Sequence, residues 1–207
     1  MDDLATEYDL ISDDLACCAK SLESFFRPHI PVDVRIDRIS SRPKSKERFI
    51  AKAMKREAGE PRYPNPFGDI QDLLGARIVV LYLHDVERLK RLIPRLLGTI
   101  EALELEPEGF SNFGYFGWHA IARVPEEVLP DPKRDSFPRF FEVQIKTVFQ
   151  HAWAEAEHDL SYKELNGQIS NENLRLIAFA AAQAWGADNS FAAVLDRLLS
   201  EKVQKEQ

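Results

Sequence analysis

Apolar residues recur every three or four positions over residues 2–26, with Leu4, Tyr8, Ile11, Leu15, Leu22 and Phe25 on one side, the pattern of an amphipathic helix. Pro28 and Pro31 are expected to break it. The period then changes: Val32-Asp33-Val34-Arg35-Ile36 alternates, which predicts a short strand over residues 32–39. A second helix is expected from Ser45 to Ala58, ended by Gly59 and followed by a Pro-rich loop from Pro61 to Pro66. Residues 77–83 contain the continuous run Ile78-Val79-Val80-Leu81, the mark of a strand buried on both faces. A helix over 85–97 comes next, and residues 101–114, of mixed polarity, read as strand plus loop. Ala120 to Val124 is a strand, the Pro-, Asp- and Lys-rich stretch 125–138 a hairpin excursion, and Phe140 to Lys146 a further strand. Helices over 148–160 and, rich in Ala and Leu, over 171–199 complete the chain.

These elements imply one α/β (α+β) domain over residues 1–207, a mixed sheet flanked by helices. Its parts are an N-terminal helix (1–26), a core (40–163) and a long C-terminal helix (171–200). A hydrophobic content of 44% and a mean hydropathy of -0.33 suit a soluble protein, and no apolar stretch approaches the roughly 20 residues of a membrane helix. The N-terminus lacks the basic and apolar regions of a signal peptide, so the expected location is cytoplasmic. Cys17 and Cys18 are neighbours in a helix and point apart; reduced, buried thiols are expected.

A net charge of -7 argues against whole-surface attraction to nucleic acid or anionic lipid. The charge is unevenly placed. Residues 2–14 hold six acids and no base, whereas residues 42–56 hold seven bases and one acid. Lys44, Arg48, Lys52 and Lys55 or Arg56 recur at helical spacing, either a solvated face or a cationic stripe suited to polyphosphate.

Two carboxylates stand out against that stripe. Asp72 sits just before the apolar run at Ile78, and Glu142 lies inside Phe140-Phe141-Glu142-Val143-Gln144-Ile145-Lys146. Alternation sends Phe141, Val143 and Ile145 to the core and Glu142, Gln144 and Lys146 to the other face. Mg²⁺ needs only one or two carboxylates, its other positions being filled by water and phosphate oxygens. Lysines and arginines would neutralise the charge on a transferred phosphate. In Gly114-Tyr115-Phe116-Gly117-Trp118-His119, the aromatics form either a hydrophobic turn or a platform for a base, with His119 as a phosphate donor or proton carrier. The glycine signatures of the P-loop and of dinucleotide-binding folds are absent. His151, Glu155 and His158 share one helix face and offer a metal triad as the less favoured alternative to orienting neighbours.

Ser41-Arg42-Pro43-Lys44-Ser45, Asp69-Ile70-Gln71-Asp72-Leu73-Leu74-Gly75-Ala76-Arg77-Ile78, Gly114-Tyr115-x-x-x-His119, and Phe141-Glu142-Val143-Gln144-Ile145-Lys146-Thr147 with Gln150-His151-Ala152-Trp153-Ala154-Glu155 occur in that order. In this the chain resembles the RelA/SpoT-type alarmone synthetases, over about residues 40–163, at a length similar to the small single-domain members. The resemblance implies a nucleotidyltransferase-like fold and transfer of the β,γ-pyrophosphate of ATP to the 3′-hydroxyl of GDP or GTP. By position, Asp72 would bind Mg²⁺, and Glu142 would help bind it or activate the hydroxyl. Arg42, Lys44, Lys52, Lys55 and Arg77 would hold ATP; Tyr115 would stack on the acceptor base, with His119, Gln144, Lys146 and His151 nearby. One departure matters: residues 108–114 contain no Lys or Arg, and Phe116-Gly117 follows the tyrosine, where family members gripping a 5′-diphosphate generally carry basic residues. That opens an alternative acceptor, the 3′ end of tRNA, as in toxin members of the family. A non-catalytic nucleotide sensor is a third reading. An antitoxin and a homo-oligomer formed through the C-terminal helix are the partners left open.

Overall fold

The computed structural model describes residues 2–107, 109, 112–130, 137–163 and 169–205. Helix α1 (Asp2–His29) buries Tyr8, Ile11, Leu15, Cys18, Leu22 and Phe26. It runs through Pro28, against expectation, and Ile30 still donates to the Phe26 carbonyl at 3.2 Å. A proline this close to the end removes one backbone bond, and the buried Leu22, Phe26 and Ile30 hold the last turn on the core. Of the two thiols, Cys18 is buried and Cys17 is exposed, so only one of them matches the expected burial.

The strand expected at 32–39 lies four residues later, as β1 (Ile36–Pro43). Val34 N–H bonds the Pro31 carbonyl at 3.0 Å, which makes the alternating segment a turn with Val32 fully exposed. β1 is an edge strand, where the missing donor of Pro43 costs no ladder bond. Helix α2 (Lys46–Ala53) is capped by the Ser45 hydroxyl, which accepts from the Arg48 N–H. It ends five residues short of Ala58 because β2 (Arg56–Glu57) and β3 (Glu60–Pro61) pair instead. The turn between them places Ala58 and Gly59 at φ of 50° and 89°, the doubly left-handed geometry of a tight hairpin. Gly59 therefore serves a hairpin, and Lys55 lies off the helix.

A short helix α3 (Pro66–Asp69) leads through Asp72 into β4 (Leu74–Val80), which starts three residues before the expected Arg77. Helix α4 (Leu83–Leu97) ends at Gly98 in the left-handed conformation. Strands β5 (Glu101–Leu105), β6 (Gly117–Arg123) and β7 (Phe140–Thr147) follow, with one 3₁₀ turn at Glu126–Val128. The centre of the expected hairpin excursion, residues 131–136, lies outside the described residues. Helices α5 (Val148–Lys163) and α6 (Asn171–Lys205) close the chain, each running a few residues past its expected end.

The sheet is mixed, in the order β1-β4-β7-β6-β5, with β4 and β7 parallel and every other pair antiparallel. Phe141, Val143 and Ile145 are fully buried on one face with Ala76, Ile78, Trp118 and Ala120, and α1 and α4 pack there. The opposite face carries Arg77, His119, Glu142, Gln144 and Lys146. Register aligns them: Arg77 pairs with Gln144, and His119 with Gln144 from the other side. No helix of the described residues is long and apolar enough to cross a membrane.

Candidate active site

Two neighbouring parallel strands deliver the acids. Asp72 precedes β4, and Glu142 pairs with Gly75 near the start of β7. The Asp72 carboxylate is gripped by Lys44 Nζ at 2.8 Å and Lys52 Nζ at 3.0 Å. Lys44 follows the end of β1 and is fixed by its own backbone, whose N–H bonds Leu73 O at 2.8 Å and whose carbonyl accepts from the Tyr8 hydroxyl at 2.6 Å. Burial works to raise the Asp72 pKa, but the hydrogen bonds of the two ammonium groups outweigh it and hold the carboxyl below its usual range.

Glu142 is held by a line of hydrogen bonds along the sheet face. His119 Nδ1 lies 2.8 Å from Glu142 Oε1, and the Tyr115 hydroxyl lies 2.7 Å from His119 Nε2. A carboxylate only accepts, so the imidazole proton sits on Nδ1, and a neutral His119 then accepts from Tyr115. Burial lifts the Tyr115 pKa well above its ordinary value, which keeps that hydroxyl protonated. Gln144 Nε2 donates to Glu142 Oε2 at 2.8 Å. Burial raises the Glu142 pKa and the His119 hydrogen bond lowers it; the net result is below the usual range, with the negative charge of Asp72 pulling the other way.

Arg77 ties the strands to α5. Its Nε donates to Gln144 Oε1 at 3.3 Å, and its Nη1 reaches His151 Nδ1 at 3.2 Å and the Glu155 carboxylate. Arginine has no acceptor, so His151 Nδ1 accepts; burial and then Arg77 depress the His151 pKa, consistent with a neutral ring. Lys146 is 3% exposed, and its ammonium lies 4.4 Å from the centroid of the Tyr115 ring. Burial, assisted by Arg77, lowers its pKa to about 8. Gly117 makes room for that ring: a Cβ there would lie 2.9 Å from the Tyr115 hydroxyl.

The structure thus gathers Asp72, Lys44 and Lys52 at one end of the cleft and Glu142, His119, Tyr115, Gln144, Lys146, Arg77 and His151 along the sheet. Arg42 is exposed on β1 opposite Gly75, within electrostatic reach of Glu155. Lys55 is exposed beyond α2 and takes no part in the grip on Asp72. The triad His151, Glu155 and His158 does not converge: His151 and Glu155 turn to Arg77, and His158 Nε2 meets Arg48 Nη2 at 3.2 Å. Among the described residues no group of three or more His, Cys, Asp or Glu side chains is placed to hold a metal. The Arg77–Glu155 and Arg48–His158 contacts join residues 78 and 110 positions apart, and no local pattern announces them.

Two acids with oxygen ligands suit Mg²⁺ rather than zinc. The fit is favourable. Asp72 and Glu142 repel one another, which a bound divalent cation would relieve.

Residues 41–167, more than half of the chain, match the family model described as the region found in RelA/SpoT proteins. No curated protein matches. Among solved structures, the Streptococcus mutans UA159 protein smu.1046c is 21% identical with a TM-score of 0.72, the match covering 94% of this chain and 98% of that one. Small alarmone synthetase 1 from Bacillus subtilis, bound to its product pppGpp, is 17% identical with a TM-score of 0.72, over 94% and 99% of the two chains. A GTP pyrophosphokinase family protein from Streptococcus pneumoniae is 18% identical with a TM-score of 0.72, over 96% and 99%. The match to the family model, on a sheet that ranges Asp72 and Glu142 against a bank of cations, means that this chain belongs to the RelA/SpoT family of pyrophosphokinase-type transferases and carries the fold of the small alarmone synthetases.

Proposed function

We propose that the protein transfers the β,γ-pyrophosphate of ATP to the 3′-hydroxyl of GDP or GTP, yielding an alarmone and AMP. The observation that carries this reading is the pairing of two repelling carboxylates, Asp72 and Glu142, on neighbouring parallel strands, with Lys44 and Lys52 on one side and Arg77 and Lys146 on the other. The Bacillus subtilis relative of the same fold binds pppGpp as its product and has also been solved with AMPCPP, which supports guanosine and adenosine nucleotides as ligands here.

Asp72 and Glu142 would hold Mg²⁺, which when bound screens the phosphate charge and polarises the β-phosphorus. Lys44, Lys52, Arg42 and Arg77 bind the triphosphate. Glu142, ionised and oriented by His119 and Gln144, takes the proton of the acceptor's 3′-hydroxyl. The oxygen forms a bond to the β-phosphorus as the bond from that phosphorus to the α,β-bridging oxygen breaks, and AMP leaves with the electron pair. Tyr115 offers its ring to the acceptor base, Lys146 and His151 flank the acceptor, and Lys146 carries a positive charge below about pH 8.

A second reading has its own observation. Phe113, Gly114, Phe116 and Gly117 around Tyr115 bring no cation to the loop, which suits the terminal adenosine of tRNA, a nucleoside end without a 5′-diphosphate. The acidic first helix, with six acids and no base over residues 2–14, is a poor surface for the body of a tRNA, so the free nucleotide is the better reading. Incubation with Mg²⁺ and γ-labelled ATP, offering GDP, GTP and deacylated tRNA in parallel with Glu142→Gln as control, tests both. Label on GDP or GTP supports the proposal, label on tRNA replaces it with the second reading, and label on neither overturns both in favour of a nucleotide sensor.

A further inference from the structure

All three tryptophans of the chain, Trp118, Trp153 and Trp185, line one cavity of about 170 Å³. It lies between α4, α5, α6, the end of β5 and the Gly114–Gly117 loop, with Phe116 as a fourth aromatic wall. It adjoins the acceptor end of the catalytic cleft through Trp153, whose ring lies 6.5 Å from that of Tyr115, but none of Asp72, Glu142, His119, Gln144 and Lys146 lines it. Trp118 pairs across the sheet with Ile145 and faces the core side, whereas His119 and Gln144 pair on the catalytic side. Thr147, next to the cavity, shares the face of Ile145 by alternation.

One buried polar side chain at the cavity wall has hydrogen-bonding capacity to spare. Asp188 of α6 is 3% exposed; its Oδ2 accepts from the Thr147 hydroxyl at 2.7 Å, while its Oδ1 is buried with no hydrogen-bond partner. The other polar groups are largely committed. Lys90 is ion-paired to Glu87 and Glu104, and the Trp153 indole N–H donates to Ile177 O at 3.1 Å, which leaves Trp153 to present carbon surface. A buried carboxylate oxygen without a donor is costly, and native proteins rarely tolerate one without use.

We infer that this cavity is a binding site for a planar aromatic group that donates an N–H hydrogen bond and carries no phosphate, with Asp188 as its anchor. The aromatic walls supply stacking and the spare Oδ1 accepts the N–H. The volume compares with the about 150 Å³ cavity that admits benzene in an engineered protein, so one ring system fits. A phosphate is excluded by Asp188, Glu87, Glu104 and Glu106 at the wall, where Lys90, the one cation among the described lining residues, is already paired. Burial lifts the Asp188 pKa to about 6, against the Thr147 hydrogen bond, so near neutral pH the group is largely an ionised carboxylate short of donors. An amidine or aromatic ammonium cation and a nucleobase share this chemistry.

The test is a titration of intrinsic tryptophan fluorescence with benzamidine, with adenine, and with benzoate as the anionic isostere of benzamidine. Saturable change with benzamidine identifies the cationic source, with adenine the nucleobase source, and benzoate is expected to give none. Asp188→Asn keeps an acceptor for Thr147 but turns an N–H into the cavity, and should weaken binding at least tenfold with an unchanged circular dichroism spectrum. Ala184→Leu, which fills the cavity from α6, should abolish binding independently. The inference is overturned if neither donor-bearing probe binds, if benzoate binds as well as they do, or if both variants bind as the parent does. Retention of binding by Glu142→Gln, a cleft residue that does not line the cavity, is expected, and its loss there alone would move the probe to the catalytic cleft. None of these outcomes depends on pyrophosphate transfer.

Discussion

Removal of His119 isolates what the hydrogen-bonded line on the sheet face contributes. Its Nδ1–H, 2.8 Å from Glu142 Oε1, is a donor to a carboxylate whose side chain is 23% exposed, so solvent replaces it poorly. Hydrogen bonds to charged groups are worth about 1.5–3 kcal/mol. If His119 orients the ionised base, that range translates into a loss of kcat of roughly 10- to 150-fold for His119→Ala. The same bond holds the Glu142 pKa down, so its loss must also raise that pKa and move the acid limb of the kcat–pH profile to higher pH. The sign follows from linkage: a depressed carboxyl pKa favours the ionised form, and removing the donor lets the proton bind at a pH where the parent is still active. His119→Asn retains a donor near Nδ1 and should recover part of the rate. Steady-state transfer of label from γ-labelled ATP across a pH series measures all three quantities. A drop in kcat with an unmoved acid limb, or a change confined to the KM of the acceptor, would refute the positioning role and leave His119 as an acceptor contact.

Gly117→Ala places a Cβ 2.9 Å from the Tyr115 hydroxyl and 3.0 Å from a ring carbon, so the ring must swing from His119. Losing a hydrogen bond between neutral groups, about 0.5–1.5 kcal/mol, predicts a two- to tenfold fall in kcat/KM for the acceptor with ATP affinity unchanged, checked by steady-state kinetics. Lys146 has a folded pKa of about 8 against 10.5 unfolded, so the unfolded chain binds the extra proton between those values and its contribution to stability rises with pH through that window. Lys146→Met should accordingly stabilise the fold at neutral pH, by roughly 3 kcal/mol at most, and erase the rise between about pH 8 and 10.5 in urea titrations. Asp72→Asn should abolish transfer in a chain that still folds, with a lowered unfolding midpoint because Lys44 and Lys52 lose their charged partner, and Lys52→Ala should raise the KM for ATP; retained activity in the first or unchanged KM in the second would remove those residues from the ATP end.

The elements that local pattern predicts best are those whose pattern coincides with burial. The alternation of β7 sorts Phe141, Val143 and Ile145 from Glu142, Gln144 and Lys146, and the sheet places them on opposite faces. The failures sit where a local pattern is cheap to mimic. Val32 to Ile36 alternates, but a turn bond from Val34 to Pro31 claims its backbone before a strand partner can. Residues 54–58 have acceptable helix formers, yet Ala58-Gly59 closes a hairpin whose pairing is invisible without the geometry of the turn. Pro28, by composition a breaker, stands at a position where packing of Phe26 and Ile30 outweighs one lost bond.

The site was legible as residue types and not as connections. A sequence shows that Asp72, Lys44 and Lys52 exist, and spacing puts Lys52 on a helix; that both lysines close on one carboxylate depends on β1 and β4 pairing with Pro43 opposite Leu74. Likewise Tyr115 and His119 are four residues apart, too far to face each other along a strand of 3.3 Å per residue. They meet because β6 begins only at Gly117 and the loop before it folds the ring back across a residue without a side chain. The same fold-back puts Phe116 in the wall of the tryptophan-lined cavity while Tyr115 faces His119. Two adjacent aromatics of one loop therefore report on the cavity and on the cleft, and a substitution at Gly117 that disturbs both would couple the two, whereas one that moves only Tyr115 would show them to be independent.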